Sequence, residues 1–151
     1  MNKRIVVAAA FALLLAASAY AQTKDFFDLA QTGTPQDVQA AIKKGAKVNA
    51  RDEDGWTPLM YAAAGNENYL VSIVLLAAGA DIKAKAKDGT TPLMCAAGNQ
   101  KNPENMIIAL LDAGVDAKAK DNDGSLAIYY ASFNPKLKGT YALRQLLKAS
   151  Q

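Results

Sequence analysis

Apolar side chains recur at three- and four-residue spacing in two stretches of the chain. One runs from Leu70 to Ala78 with Val71, Val74 and Leu75, the other from Glu104 to Ala113 with Ile107, Leu110 and Leu111. That spacing puts the apolar side chains on one helical face that must meet a core. Gly79 and Gly114 follow, and glycine readily ends a helix. Upstream of each stretch lies a shorter apolar run opened by Thr57-Pro58 or Thr91-Pro92. A threonine hydroxyl can accept from the unpaired N–H groups of a first helical turn, and proline at the first position gives up only an N–H that has no partner there. Short helices are therefore predicted over Pro58 to Ala64 and Pro92 to Ala97, stopped by Gly65 and Gly98. Their Ala-Ala pairs keep each helix thin enough for a neighbour to approach. The polar segment after Gly79 or Gly114 projects as a loop or hairpin that turns at Asp-Gly.

The same order of elements repeats. Asp54-Gly55-Trp56-Thr57-Pro58-Leu59-Met60-Tyr61-Ala62-Ala63 returns as Asp88-Gly89-Thr90-Thr91-Pro92-Leu93-Met94-Cys95-Ala96-Ala97, a step of 34 residues. A degenerate third copy, Asp123-Gly124-Ser125-Leu126-Ala127-Ile128-Tyr129-Tyr130-Ala131-Ser132, lies 35 further on. A second motif keeps phase with the first: Gly45-Ala46-Lys47-Val48-Asn49-Ala50, Gly79-Ala80-Asp81-Ile82-Lys83-Ala84 and Gly114-Val115-Asp116-Ala117-Lys118-Ala119. Four units result, over residues 25–44 (truncated), 55–78, 89–113 and 124–149 (divergent). Each has one apolar face too many and must stack on its neighbour, and four exceeds the roughly three such a stack needs.

Asp-Gly-x-Thr-Pro-Leu, followed by Ala-Ala and then Gly-Ala-Asp, resembles the ankyrin repeat, and the resemblance covers essentially all of residues 22–151. It implies an all-α solenoid of about four helix-turn-helix units with projecting hairpin fingers. It also implies a non-catalytic interaction scaffold. Met60 and Met94 stand where the family usually has histidine, which replaces a hydrogen-bonded link between units with plain packing. The turn between helices is longer than the family norm from Gly98 to Asn105. Leu126-Ala127 replaces Thr-Pro in the last unit, which suits an end unit whose outer face meets water.

Composition changes the picture at the amino terminus. Met1 to Arg4 is a short basic start, Ile5 to Ala17 is unbroken apolar sequence, and Ala19-Tyr20-Ala21 offers the small residues a signal peptidase reads. Residues 1–21 are read as a secretory signal, leaving residues 22–151 as one domain, exported to the periplasm and expected to be a monomer. The apolar run is shorter than the roughly 20 residues of a spanning helix, so no membrane insertion is expected after cleavage. An uncleaved anchor would instead make a membrane-tethered structural factor, and a secreted effector binding a host protein is a further alternative. The formal charge of +3 falls when Lys3 and Arg4 leave, which argues against nucleic acid as a partner.

Candidate chemistry is sparse. The chain has no histidine, which excludes Ser-His-Asp and Cys-His nucleophile systems and every zinc site that needs imidazole. Its single cysteine, Cys95, has no internal partner and reads as a small buried apolar residue. Asp52-Glu53-Asp54-Gly55 and Asp121-Asn122-Asp123-Gly124 lack the full calcium-loop spacing and its twelfth-position glutamate, so they read as turn formers. No cofactor, metal or catalytic residue is expected.

By resemblance to the family, the positions free to vary around each finger are Arg51, Glu53 and Trp56, then Lys85, Lys87 and Thr90, then Lys120, Asn122 and Ser125. Stacking lines them up along one edge as the candidate surface for an unidentified protein partner. With Glu53 as its only acid, that strip is basic and suits an acidic patch. The lysines also read as a solvated face, since lysine is depleted from interface centres. Trp56 has two readings, an interface anchor or a ring packed on its own finger. Resemblance to exported ankyrin proteins implies, as candidate roles, support of a periplasmic enzyme or neutralisation of a toxin delivered to the periplasm.

Overall fold

A computed structural model describes residues 25–151, and the leader reading of residues 1–21 lies outside them. Helices come in four pairs: α1 (residues 25–32) with α2 (Pro35–Lys43), α3 (Pro58–Gly65) with α4 (Leu70–Ala77), α5 (Pro92–Gly98) with α6 (Pro103–Asp112), and α7 (Ala127–Ser132) with α8 (Tyr141–Ala149). Among the described residues there is no strand. The helices start as the motifs predict, with the Thr57 and Thr91 hydroxyls accepting from the N–H of Met60 at 3.4 Å and Met94 at 3.3 Å. Leu126 has no such hydroxyl and α7 starts without a side-chain cap. A 3-10 turn over Pro135–Leu137 then leads to α8, where the Thr140 hydroxyl accepts from Leu143 N–H at 3.2 Å.

The way the inner helices end corrects the sequence reading. Gly65 and Gly98 are the last residues of α3 and α5, and neither takes a positive φ. Asn66 and Asn99 turn the chain instead, swinging to extended backbone with ψ of 134° and 121°. The outer helices do end at left-handed glycines, Gly79 at φ 87° and Gly114 at φ 82°.

α3, α5 and α7 pack side by side as an inner row, while α4 lies against α2 and α8 against α6. Close approach in the inner row follows from the alanines: Ala62, Ala63, Ala96 and Ala97 are fully buried, with Ala127 and Ala131 nearly so. Leu59, Met60, Val71, Leu75, Leu93, Met106, Ile107, Leu110 and Leu146 fill the core without exposure. Met60 and Met94 are packing residues, as expected from the missing histidine.

Hydrogen-bonded links between pairs are nevertheless present, made by three buried asparagines. Asn66 Nδ2 donates to the carbonyls of Ala30 at 2.9 Å and Gly33 at 3.0 Å. Asn99 Nδ2 donates to Ala63 O at 2.8 Å, and Asn134 Nδ2 to Ala97 O at 2.9 Å and Asn99 O at 2.8 Å. Each Oδ1 also accepts from its own loop, from the N–H of Asn68, Lys101 and Lys136 respectively. One amide thus ties the turn of its own unit and reaches into the unit before it, satisfying carbonyls that the helix ends leave open.

The fingers carry no strand, yet each is closed by a backbone bond: Asp52 N–H to Trp56 O at 3.1 Å, Ala86 N–H to Thr90 O at 2.9 Å and Asp121 N–H to Ser125 O at 3.0 Å. They are also tied to one another, by Lys87 N–H to Asp54 O and Asn122 N–H to Asp88 O, both at 2.9 Å. This stacking makes Gly89 (φ 83°) critical. A Cβ there would lie 2.7 Å from Asn122 N and 2.8 Å from Asp121 Cα, both backbone atoms of the next finger, whereas at Gly124 (φ 80°) it would meet nothing within 4 Å. Gly124→Ala is expected to lose about 1–2 kcal/mol for the left-handed conformation alone. Gly89→Ala is expected to lose about 1–3 kcal/mol more for overpacking. Urea titration of both variants checks the ordering, and equal midpoints would contradict it.

Candidate functional site

The finger turns are built by carboxylates. Asp52 Oδ1 accepts from the N–H of Asp54 at 2.9 Å and Trp56 at 2.7 Å, while its Oδ2 accepts from the Tyr61 hydroxyl at 2.7 Å. The third finger repeats this: Asp121 Oδ1 accepts from Asp123 N–H at 2.9 Å and Ser125 N–H at 2.8 Å, and Oδ2 from the Tyr130 hydroxyl at 2.5 Å. These acids are committed to their turns, and no group among the described residues is placed to hold a metal ion. In the middle finger both partners differ together. Ala86 stands where the others have aspartate, and Cys95 where they have tyrosine.

The clasps leave an electrostatic signature. Burial first, then the Asp52 hydrogen bond, push the Tyr61 phenol up from 10.0 to about 12. The Asp121 hydrogen bond, then burial, take Tyr130 from 10.0 to about 12. In return, the Tyr130 hydroxyl holds the Asp121 carboxyl below its ordinary range. A proton held more tightly in the folded state stabilises it fully below the unfolded pKa and is lost as pH rises through the folded one. The two tyrosines therefore make the fold lose stability between about pH 10 and pH 12. Denaturant midpoints are expected to drop across that window, and the drop is expected to shrink in Tyr61→Phe/Tyr130→Phe. An undiminished drop in the double variant would contradict the clasps.

The candidate residues divide into two groups. Arg51, Lys85 and Asn122 lash the fingers together: Arg51 Nη1 donates to Gly55 O at 2.9 Å and Lys85 O at 2.7 Å, Lys85 Nζ to Lys120 O at 2.8 Å, and Asn122 Nδ2 to Lys87 O at 2.9 Å. Glu53, Lys87 and Lys120 are exposed along the same edge, and Ser125 is half-buried in the turn of the third finger. Trp56 and Thr90 face the inner helices instead, where both line a notch of about 280 Å³ above α5. Ala64, Met94, Cys95, Gly98 and Tyr130 complete its lining. Trp56 is half-buried and meets Tyr61 edge to face at 5.5 Å, so it packs on its own unit and also walls an open space.

An aromatic row thus runs along the inner helices. Phe27 tilts against Tyr61 at 5.2 Å and Tyr61 meets Trp56; beyond the notch, Tyr130 meets Tyr129 at 5.6 Å and Tyr129 meets Phe133 at 5.0 Å. Tyr129 and Phe133 are 52% and 70% exposed, so the end of this row presents two large rings to water.

A family model described as ankyrin repeats in three copies matches residues 26–121 and 63–150. The chain belongs to the ankyrin-repeat family. No curated protein matches the sequence. Ankyrin repeats generally serve as protein–protein interaction modules and are typically not enzymes. No helix of the described residues is long and apolar enough to cross a membrane.

Sequence reasoning left Trp56 open between an interface anchor and a ring packed on its own finger, and missed both the aromatic row it belongs to and the notch it shares with Thr90. The signal was available: Tyr61 and Tyr130 each lie nine residues after an aspartate. Cys95, read as buried, is 7% exposed, and burial followed by the charge of Asp88 pushes its thiol up to about 12, which suits packing and not thiolate chemistry.

Proposed function

We propose that this chain is a non-catalytic binding module of the periplasm, delivered by cleavage after Ala21, that holds a partner protein against its finger edge and inner helices. The observation that carries this reading is the continuity of the two. The exposed finger side chains border an aromatic row in which Trp56, Tyr129, Tyr130 and Phe133 remain open to solvent to differing degrees. Aromatic side chains in such positions supply large contact area at small entropic cost, as interface anchors do.

The test is a cross-linked pull-down from the envelope fraction of the native producer, with wild type beside Trp56→Ala/Lys85→Ala/Lys87→Ala. One protein enriched by wild type and lost by the folded variant is the expected result. Enrichment of nothing by either bait would overturn the reading in that compartment. Amino-terminal mass analysis is expected to find a mature start at Gln22. With the partner in hand, Trp56→Ala alone is expected to weaken binding by about 1–3 kcal/mol while leaving the fold intact. Calorimetry checks the affinity and circular dichroism the fold.

A further inference from the structure

The notch above α5 exists because one unit departs from its neighbours. Tyr61 and Tyr130 stand at the equivalent position in the flanking units, each held by its aspartate, whereas this unit has the smaller Cys95 and Ala86 there. Its walls are aromatic, Trp56 on one side and Tyr130 on the other, and its floor is Met94 and Cys95. None of the lining side chains is charged.

Charge stands immediately behind the lining. Trp56 N–H donates to Asp52 Oδ1 at 2.7 Å, Thr90 N–H to Asp88 Oδ1 at 2.9 Å, and the Tyr130 hydroxyl to Asp121 Oδ2 at 2.5 Å. Three residues around one small opening are each backed by a carboxylate one hydrogen bond away. Of the finger cations, Arg51 and Lys85 spend their charged groups on carbonyls, Arg51 on those of Gly55 and Lys85, and Lys85 on that of Lys120, while Lys87 and Lys120 stand exposed along the edge. At Cys95 and Tyr130 in the lining the field comes from carboxylates, Asp88 acting on both and Asp121 and Asp123 on Tyr130 as well.

We infer that the notch receives an arginine side chain from the partner protein. An arginine has the apolar stem to cover Met94 and Cys95, and its planar guanidinium stacks on aromatic faces. Its charge meets the three carboxylates. A neutral apolar side chain would satisfy the floor and leave that field unanswered, and an acidic one would oppose it. This inference rests on the protein-binding reading above and names the chemistry of one contact within it.

The full chain is the bait for selection from a displayed library of random peptides. The selected peptides are then titrated against it by following the fluorescence of Trp56, the only tryptophan in the protein. The discriminating variant is Ala86→Asp/Cys95→Tyr, which copies the aspartate–tyrosine clasp of both neighbouring units and closes the notch with residues this fold already accommodates. Arginine is expected in the selected peptides, with Kd weakened about 10-fold or more by arginine-to-norleucine replacement, and similarly by the double variant. Asp88→Asn, which keeps an acceptor for Thr90 N–H, is expected to weaken binding about 3-fold or more. Peptides without arginine, or peptides that bind the double variant as tightly as wild type, would overturn the notch while leaving the binding module in place. A selection that enriches nothing would count against both.

Discussion

Leu75→Ala is expected to lose about 2–5 kcal/mol of folding stability, the range for emptying a leucine site in a packed core. Leu75 has no exposure, and α4 is held between α3 of its own pair and α2 of the pair before it. Its neighbours on both sides are helices fixed by their own caps and turns, so the space cannot be closed by a shift of one side chain. The cavity therefore persists and the cost falls in the body of that range. Val74, one residue earlier on α4, is only half-buried, and Val74→Ala is the internal comparison with a much smaller loss. Urea denaturation followed by circular dichroism measures both. Equal stability of wild type and Leu75→Ala would place the core face of α4 elsewhere.

The helical framework was legible because its signals are local. Thr57-Pro58, Thr91-Pro92 and the apolar spacing of α4 and α6 fix where helices start and which face is buried, and the predicted and observed spans differ by one residue at their ends. What was not legible is what happens between units. Asn66, Asn99 and Asn134 drew no reading from the sequence, since a buried asparagine does not stand out until its partner carbonyl, more than thirty residues earlier, comes within reach. Their recurrence after Gly65 and Gly98 was visible, yet the glycines drew the explanation that belonged to the asparagines. Arg51 and Lys85 were read as a charged strip by side-chain type, and only the stacking of fingers shows that both reach the next finger's carbonyls. The paired change of Asp52/Tyr61 to Ala86/Cys95 was likewise present in the sequence. It gained meaning only when Tyr130 and Trp56 were seen to wall the space it leaves.

Asn99→Ala is expected to lose about 3 kcal/mol, with two unsatisfied groups each costing roughly 1–3 kcal/mol and solvent relieving part of the second. Asn99 is 1% exposed, its Nδ2 satisfies Ala63 O at the end of α3, and its Oδ1 satisfies Lys101 N–H at 2.7 Å in the turn before α6. Alanine would leave Ala63 O without that donor in a place water reaches poorly. Cavity and hydrogen-bond contributions separate in Asn99→Asp, which keeps the volume but offers Ala63 O an acceptor where it had a donor. That variant is expected to be at least as destabilised as alanine. The loss also has a particular location. In a stack of units, stability is the sum of each unit and its interface with the next, and Asn99 belongs to the interface of the second and third pairs. Its own carbonyl accepts from Asn134, so displacement of the Asn99 backbone would spread to the fourth pair. Asn99→Ala is therefore expected to broaden the denaturation transition as well as shift it, with hydrogen exchange in α5 to α8 rising before that in α3 and α4. A shift in midpoint with an unchanged slope and uniform exchange would show that the asparagines stabilise single turns and do not couple the units.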